Sequence, residues 1–104
     1  MIKSVFLGAT AVFAATSALA APAAQALKGA NLASAAKVTL AVARTKALEA
    51  RPGTITDQEL EKEKGGSGLR YSFDIKSHGK PFEVGVDAMT GQVLENSAEG
   101  PHAD

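Results

Sequence analysis

Two alternating runs, separated by a short polar turn, constrain this chain more than anything else in it. In Leu69-Arg70-Tyr71-Ser72-Phe73-Asp74-Ile75-Lys76, the apolar residues Leu69, Tyr71, Phe73 and Ile75 share one face of an extended strand. Arg70, Ser72, Asp74 and Lys76 share the other. Ser77-His78-Gly79-Lys80 has turn chemistry, and Pro81 is tolerated at a strand start or edge. Phe82, Val84 and Val86 then resume the apolar face, against Glu83, Gly85 and Asp87. A hairpin with one apolar face is marginal in water, so the rest of the chain must supply more strands and a cover.

The remaining segments are read in that light. Asp87 to Gly91 forms a second turn, and Val93 and Leu94 begin a short last strand. Thr54 to Lys64 reads as the first strand, but Ile55 and Leu60 have opposite parity. A bulge, or a strand beginning after Ile55, lets both be buried. Gly65-Gly66-Ser67-Gly68 is a flexible turn; it lacks the following Lys-Ser/Thr and helix of a phosphate loop. Thr39 to Ala50 is the one convincing helix. Thr39 is its N-cap, Leu40, Ala43 and Ala47 form its apolar stripe, and Pro52-Gly53 ends it. Arg44 and Arg51 are expected to face water. The predicted fold is α+β: one main helix packed on a small antiparallel sheet of three to four strands. Its core should include Leu40, Ala43, Ala47, Leu69, Tyr71, Phe73, Ile75, Phe82, Val84 and Val86.

The chain has 104 residues, enough for one small domain with a modest core. Its first residues read as an export signal: Lys3, an apolar run from Val5 to Ala15, then Ala18-Leu19-Ala20, with cleavage between Ala20 and Ala21. The run is too short to favour a spanning anchor. The expected localisation is a bacterial periplasm or the extracellular space, without a stable membrane anchor after cleavage. Residues 21–37 are Ala-rich and read as a linker or frayed helix, residues 38–96 as the folded domain, and residues 97–104 as a disordered tail. There is no Cys, hence no disulfide. The formal charge is 0, and −1 once Lys3 leaves with the signal, which gives no electrostatic case for nucleic acid.

The residues from Lys37 to about Asn96 resemble the PepSY domain, a module named for peptidase propeptides and a spore-related protein. The likeness is carried by Val38-Thr39-Leu40 before Ala43 and Ala47, by Pro52-Gly53, and by Leu69 to Ile75. Its most specific part is Phe82-Glu83-Val84-Gly85-Val86-Asp87-Ala88-Met89-Thr90-Gly91-Gln92-Val93-Leu94, with an Asp-Ala-x-Thr-Gly-x-Val ending. The resemblance implies a stand-alone exported member that binds or restrains a peptidase. It carries over no catalytic residue.

The residues themselves offer little chemistry. Asp87, Thr90 and Gly91 suit a structural turn, because an Asp oxygen accepts backbone N–H groups and Gly permits positive φ. Calcium would ask for six or more oxygens there. His78 and His102 have neither Cys nor paired-His spacing for zinc. No nucleophile, base and orienting acid come together, so no enzyme activity, cofactor or metal is expected. Asp57, Glu59, Glu61 and Glu63 share parity and, where the strand is regular, form an acidic stripe, with Lys62 and Lys64 opposite. A solvated face that discourages edge pairing accounts for it, and so does a docking surface for a basic partner. Taken with the resemblance, which alone implies the peptidase, the expected function is an exported, non-catalytic protein-binding module that modulates or inhibits a peptidase. The alternative is a small periplasmic structural or sensory module that self-associates or binds a small ligand.

Overall fold

A computed structural model describes residues 25–100. In chain order it contains a 3-10 turn at Ala30–Ala35, helix α1 (Leu40–Ala50), and strands β1 (Thr54–Lys62), β2 (Leu69–Ser77), β3 (Lys80–Asp87) and β4 (Val93–Ala98). The strands form one antiparallel sheet in the order β1-β2-β3-β4. The architecture is thus α+β, with a four-stranded meander and one main helix.

The central hairpin is pinned by its turn. Ser77 pairs with Lys80, leaving His78 (φ 53°) and Gly79 (φ 76°) as the loop. Positive φ at both positions marks the turn type whose twist matches the flanking strands. The register follows from it: Ile75 faces Phe82, Phe73 faces Val84 and Tyr71 faces Val86. At β1 the register shifts between Ile55 and Asp57. That bulge puts Ile55 and Leu60 on the same buried face despite their opposite parity.

Helix α1 covers this face. The Thr39 hydroxyl accepts from the Val42 N–H at 3.2 Å, capping the first turn. Ala43 and Ala47 are fully buried, and their small side chains let the helix axis lie close to Phe73, Ile75, Val84 and Val86. The Tyr71 hydroxyl donates to the Val38 carbonyl at 2.7 Å, tying the approach to the helix onto β2. Gly53 permits the turn back into β1, since a Cβ there would sit 2.3 Å from the Lys76 carbonyl oxygen.

Several expectations need correction. Leu40 is only half-buried at the helix start. Phe82 is half-buried too: it lies at the sheet's end, where the Arg51 guanidinium covers its ring at 3.9 Å from the centroid. Arg44 does not simply face water; it donates to the Gln58 side-chain oxygen at 2.6 Å. Ile55, Leu60 and Ala88 complete the core.

Residues 25–36, expected to be a linker or frayed helix, are docked. Leu27 and Leu32 pack against the core, and Lys28 pairs with Glu59 in a short parallel bridge. The Lys37 and Val38 N–H groups both donate to the Ala88 carbonyl. Composition does not reveal this docking, because main-chain hydrogen bonds supply much of it. At the other end β4 runs to Ala98, and the Glu99 N–H donates to Pro81, so the order extends past the expected start of the tail at residue 97. The expected signal and its cleavage point at Ala20 and Ala21, residues 22–24, and residues 101–104 with His102 lie outside the described residues.

Candidate functional site

The sheet has a second face, and no described element covers it. From β1 it presents Asp57, Glu59 and Glu61, and Glu63 continues the row just past the strand. From β2 it presents Arg70, Ser72 and Asp74, with Lys76 beyond, and from β3 it presents Glu83. Glu95 reaches the same face from β4 and Glu99 follows that strand. Asp57, Glu59, Glu61, Glu63, Ser72, Asp74, Glu83 and Glu99 line a shallow trough of about 490 Å³. All four acids singled out from the parity of β1 lie in it.

The remaining acids were missed, though a signal existed. The two-residue turn fixes Asp74 opposite Glu83, and β4 pairing then brings Glu95 opposite Gly85. Asp74, Glu83 and Glu99 each place one carboxylate oxygen within 4.8 Å of the others. Those three oxygens are fewer than the six or more that calcium takes.

Arg70 is the buried cation of this face. Its side chain is 8% exposed and lies across β3 toward β4. It can do so because Gly85 has no side chain: a Cβ there would sit 2.9 Å from the Arg70 Cδ. One guanidinium nitrogen pairs with Glu63 at 3.3 Å and with Glu95 at 3.5 Å, and another donates to the Lys64 carbonyl at 3.0 Å. The Ser72 hydroxyl donates to Glu61 at 2.6 Å.

Three acids of this face, Glu83, Glu63 and Glu99, hold their protons more tightly than usual. Partial burial raises the Glu83 carboxyl to about 7, and the nearby charges of Glu95, Asp74, Glu99 and Glu61 add to it. Among the described residues Glu83 has no ion-pair partner. Glu63 is raised by its hydrogen bond with Glu61 and by burial, against the lowering pull of Arg70. Glu99 is raised by burial and by Asp74. A carboxyl whose folded pKa lies above its unfolded value of 4.5 stabilises the fold below that value, relative to high pH. The gain is lost as pH rises through about 7. Raising the pH from 5 to 8 is therefore expected to lower Tm by several degrees, about 1–2 kcal/mol after solvent screening. Glu83→Gln should flatten most of that slope, as read by thermal melts across the range.

Asp87, Thr90 and Gly91 lie at one end of the open face, where they shape a turn. Asp87 is 1% exposed. One oxygen accepts from the Met89 N–H at 2.8 Å, the Thr90 N–H at 3.1 Å and the Ser67 hydroxyl at 2.9 Å. The other accepts from the Ser67 N–H at 2.6 Å. Burial alone would push this carboxyl up; the hydrogen bonds from Ser67, Met89 and Thr90 outweigh it and hold it at about 2. The Gly91 N–H donates to the Asp87 carbonyl at 2.9 Å, closing the turn. Asp87 thus clamps the β3–β4 turn to the Gly65–Gly68 loop, which sequence reasoning treated as independent. Gly66 allows the contact, since a Cβ there would sit 2.2 Å from an Asp87 oxygen.

His78 occupies the exposed tip of the central hairpin, away from this cluster. No described helix is long and apolar enough to cross a membrane. What fold and face define together is a small α+β module with a helix on one side of its sheet and an open acidic surface on the other. Residues 37–96 match the PepSY family, described as the peptidase propeptide and YPEB domain, and the chain belongs to that family. No curated protein and no solved structure matches it.

Proposed function

We propose that this chain is an exported, non-catalytic module that binds a peptidase and modulates it, and that the acidic face of the sheet is the docking surface. In this reading residues 1–20 are the export signal, cut between Ala20 and Ala21. The observation that carries the docking surface is the trough itself, with Asp57, Glu59, Glu61 and Glu63 along β1 and Asp74, Glu83 and Glu99 across it. A sheet face left uncovered and lined by one sign of charge favours a partner surface bearing Lys and Arg, speeding encounter and fixing orientation. The family's description as a peptidase propeptide supports a peptidase as that partner.

The test uses the purified chain and peptidases exported by the same cell. The wild type is expected to bind one of them and change its rate of peptide cleavage, with an association rate that falls as salt rises. The double variant Glu59→Lys with Glu61→Lys should weaken that binding by roughly 10- to 100-fold while keeping the fold. A variant that binds as tightly as the wild type would remove the acidic face from the reading. A wild type that changes no exported peptidase would remove the function.

A further inference from the structure

The outer edge of β1 is filled by the chain's own residues 25–28, and the way it is filled shows what that edge accepts. β2 takes the inner edge of β1. On the outer edge the Lys28 N–H donates to the Gln58 carbonyl at 3.2 Å, and the Leu60 N–H donates to the Lys28 carbonyl at 2.8 Å. This is the bonding pattern of a parallel strand added to a sheet. Near the bulge side chains take over: the Gln25 amide donates to the Ile55 carbonyl at 2.8 Å, and the Gln58 amide donates to the Gln25 carbonyl at 2.9 Å. Leu27 packs against the core, while the next residue, Lys28, places its ammonium 2.9 Å from Asp57. Alternation of one apolar and one basic side chain is how an extended ligand is read at a sheet edge with an acidic face.

Among the described residues this occupant makes two main-chain hydrogen bonds to β1. Its ion pair is exposed, with Lys28 63% and Asp57 40% accessible. At Gly29 (φ 79°) the chain turns away into the 3-10 segment. The acidic row continues past that point, through Glu61 and Glu63.

We propose that the β1 edge is a strand-addition site for an extended basic segment of a partner protein, and that residues 25–28 are its stand-in in the free chain. The preferred segment runs parallel to β1 and carries an apolar residue followed by Lys or Arg at every second position. The first cation takes the place of Lys28, and the next two come alongside Glu61 and Glu63. The proposal rests on the reading of this module as a protein binder and specifies how the partner is gripped.

The probe is the synthetic peptide Gln-Ala-Leu-Lys-Val-Lys-Val-Lys, titrated into the isotope-labelled full chain and followed by amide NMR. In the wild type, high peptide concentrations should shift the Lys28 and Leu60 amides together as the stand-in is displaced. Lys28→Ala removes the ion pair and Gly29→Ala strains the exit turn, so either variant should bind the peptide roughly tenfold more tightly. The same peptide with Glu in place of each Lys should not bind. The proposal is overturned if the basic peptide leaves Lys28 and Leu60 unmoved in the wild type, if its shifts map away from β1, or if a folded variant gains no affinity. No peptidase is present, so a negative result leaves the peptidase reading standing, and a peptidase that never binds leaves a positive result standing.

Discussion

Replacing Asp87 by Ala is expected to lower the unfolding free energy by about 3 kcal/mol, because it strands several backbone donors that one carboxylate serves. The Ser67, Met89 and Thr90 N–H groups and the Ser67 hydroxyl all point at it. Bonds to a charged acceptor contribute about 1.5–3 kcal/mol each, but Ser67 and Thr90 border solvent, so water recovers part of the loss. Small domains have a total of roughly 5–15 kcal/mol, so the change removes a large share. Urea denaturation measures it. Asp87→Asn separates the two halves of the clamp. Its oxygen can still accept from Met89 and Thr90, but its amide would face the Ser67 N–H donor, so about half the loss is expected. The wild-type carboxyl is held at about 2, below the ordinary 3.8. Its contribution is therefore complete above 3.8 and disappears as pH falls through about 2. Asp87→Asn should remove that acid-limb loss, and an unchanged acid limb would show that Asp87 does not control it.

The alternating residues made the fold legible. Leu69 to Ile75 and Phe82 to Val86 placed one sheet face inside, and Thr39, Ala43, Ala47 and Pro52-Gly53 placed the helix that covers it. The opposite parity of Ile55 and Leu60 required an irregularity, and the register shift between Ile55 and Asp57 supplies it. The open face was legible only along β1, because parity groups residues within a strand while pairing across strands depends on register. Asp74, Glu83, Glu95 and Glu99 join the row through that pairing. The docked residues 25–28 left no periodic signal at all. Their hold comes from main-chain groups of Lys28 and from the amides of Gln25 and Gln58, and Gln58 is 3% exposed on a face where alternation predicts an apolar residue. Such a polar residue at an inward position is the mark that a further segment must come to satisfy it.

Arg70→Gln is expected to cost about 2–3 kcal/mol at pH 8, and less at pH 5. The guanidinium is buried and pairs with Glu63 and Glu95, which remain partly exposed, so the loss stays below that of a fully buried pair. Without it the acids of the open face lose their central counter-charge. Glu63, already raised by Glu61 and by burial, loses the one neighbour that lowers it. Its folded pKa then rises further above the unfolded value, so protonation on the way from pH 8 to pH 5 stabilises the variant more than the wild type. Thermal melts at both pH values measure the difference. Gly85→Val should act in the same direction, because a side chain at Gly85 occupies the path of Arg70 across β3. Equal losses at pH 8 and pH 5 would show that Arg70 acts by packing rather than by charge. Arg70→Gln also leaves the trough more negative, so a basic partner should bind that variant faster than the wild type although its fold is weaker. Opposite signs for stability and docking are what a structural cation set beside an acidic binding face produces.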